Sequence, residues 1–152
     1  MKFYIASGVE NAKIVSELAA IMKADGHTHT YDWTQTLNHN NDDSELKALA
    51  YAEVKGVQDA EILIVILPGG RGTHTEIGIA IASEIPIVIY GSSPDAYIVN
   101  GQKNPFYYYK HITIHFGEFE QFINKLLSSL KYSLLLTKAF NSIFRKMAIS
   151  QY

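Results

Sequence analysis

The sequence ILIVILPGGRGTHTE, residues 62–76, decides the fold. Its six consecutive apolar residues, 62–67, are typical of a central parallel strand that is covered on both faces. A glycine-rich turn at 68–73 follows, and we predict a helix from His74 to Ser83. A buried strand that is joined by a short turn to a helix indicates one βαβ unit of an open α/β sheet.

The same alternation of strands and helices extends outward from this stretch in both directions. The other predicted strands are 3–6, 27–33, 85–90 and 112–116. The other predicted helices are 11–24, 44–57 with Ser44 as its N-cap, and 118–130. A polar loop is predicted at 38–43. This pattern predicts a doubly wound α/β fold, with a three-layered, flavodoxin-like parallel sheet in the order 2-1-3-4-5.

An extra amphipathic helix is predicted beyond Leu130. Residues 131–152 carry four of the 13 Lys and Arg residues and no Asp or Glu. The apolar face comprises Leu134, Leu135, Leu136, Ala139, Phe140, Ile143, Phe144 and Met147. Such a helix either covers the domain or a partner subunit, or lies as a basic helix on a membrane surface. We take 1–130 as the α/β domain and 131–152 as a packing or oligomerisation helix, and expect a homo-oligomer because a small sheet domain does not need this much apolar surface.

Composition and charge exclude several classes of protein. With 152 residues, 47% of them apolar and 18% charged, the chain can bury the core of one domain and is not intrinsically disordered. It has no cysteine, which excludes disulfides, thiolate nucleophiles and cysteine-ligated metals. The absence of a signal peptide and of a long apolar window predicts a cytoplasmic protein that binds no membrane. The net charge of −2, and the excess of acidic over basic side chains in residues 1–130, argue against binding to a nucleic acid polymer.

Candidate site residues lie where the predicted strands end. Ligands of open α/β sheets bind beyond the carboxyl ends of the strands. Ser7-Gly8 and Asp32-Trp33 follow the first two strands, and residues 68–76 follow the third. The six histidines form no His-x-x-x-His pair on a clear helix and have no adjoining carboxylate cluster, so no metal site is expected. No other cofactor is expected either.

The loop after the third strand is the most unusual of these segments. Three glycines stand between a buried strand and a helix, which is more than a tight turn requires. Their bare backbone N–H groups can approach an anion or sugar hydroxyls. The candidate binding residues of this loop are Gly69, Gly70, Arg71, Gly72, Thr73 and His74.

Glu76 is predicted in the first turn of the helix that follows the loop. The positive end of the helix macrodipole favours an ionised carboxylate there, so we expect Glu76 to be charged at neutral pH. A carboxylate at the mouth of the sheet can attack the anomeric carbon of a glycoside or stabilise an oxocarbenium-like transition state. The alternative is a plain charge at a helix N-terminus.

Two segments resemble the nucleoside 2-deoxyribosyltransferase family. They are Glu53-x-x-Gly56-Val57-x-x-Ala60-Glu61-Ile62-Leu63-Ile64-Val65 and Gly72-Thr73-His74-Thr75-Glu76-Ile77-Gly78-Ile79-Ala80. The opening strand at 3–8 looks similar as well, so the resemblance covers roughly residues 2–116. It implies that Glu76 is the nucleophile, that Tyr4 orients it, and that Glu53 positions or protonates the base. It also implies a small nucleoside or nucleotide substrate and an oligomer in which a neighbour completes the pocket.

The remaining candidates each have a functional and a structural interpretation. Trp33 would stack on a base while Asp32 binds its edge, or the two are a core aromatic and a turn residue. Arg71 would meet a 5′-phosphate, or it is an exposed loop arginine. His74 would touch the leaving base, or it serves the solvated helix start. The aromatic run at 106–109 would line a pocket or an interface, or pack in the core.

Chain geometry limits the role of Glu53. It lies eight residues before Glu61, which is about 12 Å along a helix, while the strand 61–67 rises about 20 Å in the same direction. Glu53 is therefore expected about halfway up the sheet, within reach only of a site that dips below the strand ends. A surface glutamate is the alternative.

Other functions remain open at this point. The loop Pro68-Gly69-Gly70-x-Gly72-Thr73-x-x-Glu76 also resembles that of the cytokinin-activating phosphoribohydrolases, but residues 44–57 lack the arginine that this family carries on the preceding helix. The fold and the loop carboxylate are also similar to those of NAD-cleaving TIR-like domains. A nucleotide-binding module without turnover is the non-enzymatic alternative. The resemblances to the deoxyribosyltransferases and to the phosphoribohydrolases imply action on the same bond, the N-glycosidic bond between a base and a pentose.

Overall fold

The computed structural model of the protein describes residues 1–37, 42–99 and 101–149. The chain divides into two compact units, Met1–Glu118 and Phe119–Tyr152. The strands of the first unit are β1 Lys2–Ser7, β2 Thr28–His29, β3 Ile62–Ile66, β4 Ile87–Gly91, β5 Ile98–Val99, β6 Gln102–Lys103 and β7 Ile112–Phe116.

A five-stranded parallel sheet organises this unit, in the order β2-β1-β3-β4-β7. The short strands β5 and β6 pair only with each other, in an antiparallel sheet of their own. The strands of the parallel sheet, counted along the chain, thus follow the predicted order 2-1-3-4-5. The predicted doubly wound, flavodoxin-like α/β class is confirmed.

The helices of the first unit are α1 Ala12–Ala24, α2 Asp43–Gln58 and α3 Arg71–Ala82. Helix α1 contacts β1 and β2, whereas α2 and α3 contact each other and β1. Right-handed crossovers place α1 on one face of the sheet and α2 with α3 on the other, which gives three layers. Side chains alternate along β1, so Tyr4 points to the α2–α3 face while Phe3 and Ile5 point to the opposite face.

The core is centred on β1 and β3. The side chains from Phe3 to Ala6 have no exposed surface, and every residue of β3 is buried. Strand β3 pairs with β1 on one side and with β4 on the other in continuous parallel register. The apolar run is therefore covered on both faces and both edges, as its composition predicts.

The second strand is much shorter than predicted, because β2 spans two residues rather than 27–33. The Asp32 side chain accepts hydrogen bonds from the backbone N–H and the hydroxyl of Thr34 and starts a 3-10 turn, Trp33–Thr36. An aspartate that bonds locally in this way competes with strand pairing. The extended chain therefore ends soon after His29.

Helix α3 begins at Arg71, three residues earlier than predicted. Its N-cap is Gly70, whose backbone N–H donates a 3.1 Å hydrogen bond to Oγ1 of Thr73. The glycines of the loop predict a turn because glycine disfavours helix interiors. The first helical turn nevertheless accommodates Gly72, and the backbone N–H of Gly70 is satisfied there by the Thr73 hydroxyl. Glu76 consequently lies in the second turn of α3 and not in the first.

The other element starts differ from the predicted ones by two residues or fewer. Helix α2 begins at Asp43 because Asp42, not Ser44, is the N-cap, with its carboxylate accepting from backbone N–H groups of the first turn. Strand β4 begins at Ile87, directly after a proline that cannot donate to the ladder. Residues 38–41 of the predicted polar loop lie outside the described residues.

The connection from β4 to β7, residues 92–111, is rich in aromatic side chains and is called here the aromatic connection. Its described part holds two 3-10 turns, Pro94–Tyr97 and Pro105–Tyr108, on either side of the β5–β6 pair. The ring of Tyr97 stacks on Phe116 of β7, with centroids 5.2 Å apart, and its centroid lies 6.1 Å from that of Tyr107. The predicted elements did not include these turns and strands.

The second unit is one long helix, α4 Phe119–Ile149. It has no break near Leu130, so the two helices predicted for this region are one continuous helix. For Leu134 and for the members of the predicted apolar face after residue 136, the structure describes the backbone but not the side chains. None of the described helices is long and apolar enough to cross a membrane. The domain division at 130 and the homo-oligomer stay predictions.

Candidate active site

A buried tyrosine and a buried glutamate form the centre of the candidate site. Tyr4 lies in the middle of β1, and Glu76 lies on the second turn of α3 against the same face of the sheet. The Tyr4 hydroxyl donates a hydrogen bond to Oε1 of Glu76. Tyr4 has no exposed surface, and Glu76 is 7% exposed. Because 72 positions separate the two residues along the chain, the pair exists only when the sheet and α3 have packed together.

Glu53 lies near this pair on α2. It is half-buried, and its negative charge raises the pKa of both Tyr4 and Glu76. A close approach of α2 to β1 makes this possible, because a Cβ on Gly56 would lie 2.7 Å from Cβ of Tyr31 and 3.0 Å from the ring of Tyr4. The site therefore dips to the middle of β1, as it must for Glu53 to reach it.

Burial governs the protonation of Glu76. The pKa of Glu76 is raised from 4.5 to about 7. Burial is the largest cause, the hydrogen bond from Tyr4 lowers the pKa, and the charge of Glu53 raises it. Burial, and then the charge of Glu76, hold the pKa of Tyr4 far above its usual range, so Tyr4 keeps its proton and remains a donor. The prediction that Glu76 is fully ionised by the helix macrodipole is wrong, because its carboxyl group is buried one turn further along α3.

The Tyr4–Glu76 pair is suited to nucleophilic chemistry. A hydrogen bond fixes the orientation of the carboxyl group, and the surrounding protein leaves only 7% of the residue exposed. A carboxyl group with a pKa near 7 is present in both forms at neutral pH, and the ionised form is the nucleophile. The arrangement can therefore attack an electron-poor sugar carbon that is held against it.

The glycine loop has one packed side and one open side. A Cβ on Gly69 would lie 2.7 Å from Cγ2 of Thr73, which is 1% exposed. A Cβ on Gly70 or Gly72 would meet no atom within 4 Å. Arg71, the first residue of α3, is exposed. The backbone at Gly70 and Gly72 is thus accessible to a ligand, and Arg71 stands between these two glycines.

Ser7 and Gly8 join the end of β1 to this loop. Oγ of Ser7 donates a 2.8 Å hydrogen bond to the carbonyl of Ile66, and the N–H of Gly8 donates to the carbonyl of Pro68 at 3.3 Å. Nδ2 of Asn11 donates to Oγ of Ser7 and to the carbonyl of Pro68, at 2.9 Å each. Sequence reasoning missed Asn11, because an asparagine after a strand is an ordinary turn residue.

Asp32 and Trp33 lie beyond the end of β2. Trp33 is 8% exposed, and its indole N–H donates a 2.8 Å hydrogen bond to the carbonyl of Ile5. The N–H of Thr30 already bonds the carbonyl of Phe3, so the indole occupies the next ladder position on that edge of β1. Asp32 caps the turn that follows. These contacts are structural, and a role of the two residues in binding a base stays a prediction.

A cavity of about 430 Å³ lies between α2 and the turn after β2. Its volume is within the range of small-molecule sites. Tyr31 belongs both to this cavity and to the surroundings of Tyr4, because the Cβ of Tyr31 and the ring of Tyr4 both lie at Gly56. The lining residues are Tyr31, Gln35, Thr36, Glu45, Ala48, Leu49 and Ala52. Sequence reasoning missed them because only the fold brings one face of α2 together with this turn.

His29 of β2 is half-buried beside the site, and both of its ring nitrogens are buried. Its ring stacks on Phe3 with centroids 4.7 Å apart and lies edge-on to Tyr4 at 6.4 Å. Among the residues that the structure describes, neither ring nitrogen has a hydrogen-bond partner, and burial lowers the pKa of His29 to about 4. Within residues 1–37, 42–99 and 101–149, no group of three or more His, Asp or Glu side chains could hold a metal ion.

Comparisons with known proteins place the chain in context. The model of the nucleoside 2-deoxyribosyltransferase family matches residues 3–126. Among solved structures, the CMP N-glycosidase BcmB of Clostridium botulinum is similar, with a TM-score of 0.58 and 17% sequence identity over 83% of this chain and 97% of that chain. A likeness at this identity supports the fold alone. No curated protein sequence matches the chain. The family match confirms the resemblance that the sequence segments around Glu53 and Glu76 predict.

Proposed function

The chain belongs to the nucleoside 2-deoxyribosyltransferase family, and from this premise we propose that it cleaves or exchanges the N-glycosidic bond of a nucleoside or nucleoside monophosphate with Glu76 as the nucleophile. The observation that carries the proposal is the buried Tyr4–Glu76 pair. The hydrogen bond from Tyr4 fixes the orientation of the carboxyl group, and burial raises its pKa to about 7. A module that only binds nucleotides does not need such a group.

The reaction proceeds in two displacements at the anomeric carbon. The Glu76 carboxylate attacks from the face opposite the base, and the base leaves with the electron pair of the N-glycosidic bond. The product is a glycosyl ester of Glu76, and the departing base takes up a proton. Attack by water then releases the sugar and gives a hydrolase, whereas attack by a second base gives a transferase. Either step restores the free carboxylate.

Tyr4 and Glu53 assist this chemistry without forming the covalent bond. Tyr4 holds the carboxyl group by its hydrogen bond and favours the ionised form. Glu53, which lies close enough for its charge to affect Glu76, positions the base or protonates it as it leaves.

The substrate lies between the cavity and the glycine loop. The base enters the cavity beside Tyr31, whose aromatic ring and the amide of Gln35 offer stacking and hydrogen bonding. The open backbone at Gly70 and Gly72 faces the sugar or its 5′-phosphate, and Arg71 supplies a charge-assisted hydrogen bond to the phosphate. The name of the structural neighbour, CMP N-glycosidase, supports the inclusion of nucleoside monophosphates among the substrates.

Release of free base from a panel of substrates tests this proposal. The panel contains ribo- and deoxyribonucleosides, their 5′-monophosphates and NAD, with chromatography of the products. Glu76→Gln keeps the shape of the side chain and its hydrogen bond from Tyr4, so it should fold and lose turnover. Glu17→Gln, on the exposed side of α1, is the matched control and should keep the full rate.

Two results would contradict the proposal. One is no release of base by the wild-type protein from any member of the panel. The other is an unchanged rate in the folded Glu76→Gln variant. A second base added to the same assay separates transfer from hydrolysis, because only a transferase forms the exchanged nucleoside.

A further inference from the structure

His74 engages both of its ring nitrogens. Nδ1 lies 2.7 Å from the carbonyl oxygen of Gly70, and Nε2 lies 2.9 Å from the hydroxyl of Tyr107. The rings of His74 and Tyr107 are nearly parallel, with 13° between their planes and centroids 5.9 Å apart. One side chain thus joins the start of α3 to the aromatic connection.

The two partners determine which nitrogen carries the proton. A carbonyl oxygen only accepts, so Nδ1 must be protonated to bond Gly70. In the neutral ring Nε2 is then bare, and it accepts the hydrogen bond from the Tyr107 hydroxyl. The contacts therefore select the Nδ1–H tautomer of His74.

Gly70 is the point where the glycine loop becomes a helix. Its N–H donates to the hydroxyl of Thr73, and its carbonyl accepts from the backbone N–H of His74 at 3.3 Å. The ring of His74 binds the same carbonyl at the shorter distance of 2.7 Å. The position of the loop thus depends on the side chain of His74 as well as on the helical backbone.

Tyr107 anchors the aromatic connection. It is 4% exposed, whereas its neighbours Phe106 and Tyr108 are 64% and 60% exposed. Tyr97 lies between Tyr107 and Phe116 of β7, so a series of ring contacts continues to the edge of the sheet. The hydroxyl of Tyr107 is therefore a fixed point against which His74 can hold the loop.

We infer that His74 is a positioning residue with Tyr107 as its partner, and that in its Nδ1–H tautomer it holds the glycine loop, residues 69–72, in the conformation that binds substrate. The inference rests on the proposed function, in which this loop faces the sugar or its 5′-phosphate. His74 acts through Gly70 and Tyr107 and touches no reacting atom. Loss of the pair weakens binding, while the chemical step at Glu76 keeps its own partner, Tyr4.

Nitrogen-15 NMR of the full chain without ligand tests the pair independently of any activity. Long-range proton–nitrogen correlations should show the His74 ring with a protonated Nδ1 and a bare Nε2 at pH 8. Tyr107→Phe removes only the hydroxyl and should move the Nε2 resonance. Tyr109→Phe is the matched control, because the ring of Tyr109, which lies 5.9 Å from Nζ of Lys110, is kept in this variant. A His74 ring protonated on Nε2, or an Nε2 resonance that does not move in Tyr107→Phe, would overturn the pairing.

Calorimetric binding of the four ribonucleoside 5′-monophosphates tests the positioning role. Glu76→Gln is the background, because it removes turnover. Adding Tyr107→Phe should raise the Kd of the nucleotides that bind by about three- to tenfold, the effect of one lost hydrogen bond. Tyr109→Phe should leave the Kd unchanged. An unchanged Kd with Tyr107→Phe, or no binding of any nucleotide to the background protein, would refute the positioning role.

His74→Asn provides a second route to the same answer. The asparagine amide keeps a donor near the position of Nδ1 but cannot reach Tyr107, so it removes the same hydrogen bond as Tyr107→Phe. The two changes together should raise the Kd no more than either alone. Additive effects would mean that the side chains act separately and would contradict the inference. A wild-type protein that binds nucleotides but never releases base would refute the proposed function and leave this result standing.

Discussion

The pH dependence of catalysis should move in opposite directions when the two neighbours of Glu76 are replaced. Tyr4 donates a hydrogen bond to the Glu76 carboxylate and lowers its pKa, whereas the charge of Glu53 raises it. Tyr4→Phe should therefore raise the pKa of Glu76, and Glu53→Gln should lower it. Since only the ionised carboxylate attacks, kcat/KM falls on the acidic side of this pKa.

The size of the Tyr4 effect follows from the kind of hydrogen bond that is lost. A hydrogen bond to a charged group is worth about 1.5–3 kcal/mol, and one pKa unit corresponds to about 1.4 kcal/mol. The acidic limb should thus move up by about one to two pH units from the wild-type midpoint near 7. The effect of Glu53 on the pKa of Glu76 is the smaller of the two, so Glu53→Gln should give a smaller downward shift.

The assay is kcat/KM for one substrate between pH 5 and 9, which reports ionisation in the free enzyme. Tyr90→Phe is the control, because the Tyr90 hydroxyl donates to the carbonyl of Gly117 and does not touch Glu76. Its acidic limb should coincide with that of the wild type. This account of the ionisation of Glu76 would be refuted if the acidic side of the pH profile were the same for Tyr4→Phe and the wild type. It would also be refuted if Tyr4→Phe and Glu53→Gln shifted the profile in the same direction.

Four further predictions concern binding, stability and assembly. Arg71→Ala should lower kcat/KM for nucleoside monophosphates by about 10- to 100-fold and leave kcat/KM for nucleosides unchanged. The ratio of the two values measures the effect. Glu76→Gln should stabilise the protein at pH 8 by on the order of 2–3 kcal/mol in urea denaturation and change little at pH 4, because a pKa raised from 4.5 to about 7 makes stability fall as pH rises through this interval. His29 affects stability in the opposite direction, because its pKa is lowered to about 4 and stability is therefore lost as the pH falls below 6.5. In the Glu76→Gln background, His29→Phe should make the thermal denaturation midpoint less dependent on pH over that range. Light scattering should report a dimer or larger species, and truncation after Leu130 should reduce its size; a stable, fully active monomer would contradict the predicted role of the C-terminal helix.

The main lines of the fold could be predicted because they depend on apolar periodicity. The run at 62–67 and the helical spacing around it determine the central strand, the alternation of elements and the sheet order. The second strand was predicted too long because nothing in residues 30–33 shows that Asp32 will bond Thr34 and turn the chain. The start of α3 was predicted too late because glycine propensity outweighed a cap that only the Thr73 side chain reveals.

The sequence predicts which residues are candidates for the site, but it does not predict their electrostatic surroundings. Position in the chain indicates Glu76, and the family resemblance adds Tyr4 and Glu53, but none of these shows that the three groups share one buried region. That knowledge depends on the close approach of α2 at Gly56 and on the depth of Glu76 in the fold. Burial is a tertiary property, so the pKa near 7 could not be predicted from a helix position.

The indole of Trp33 also occupies part of the edge of β1 at which another strand could pair. Because β2 has only two residues, the second half of β1 would otherwise present a free hydrogen-bonding edge close to the most apolar part of the sheet. Such an edge is a template for strand addition and aggregation. The indole N–H occupies the carbonyl of Ile5 there, and its ring covers the edge with a group that no incoming strand can extend. Replacing Trp33 should therefore lower the concentration up to which the protein stays in solution.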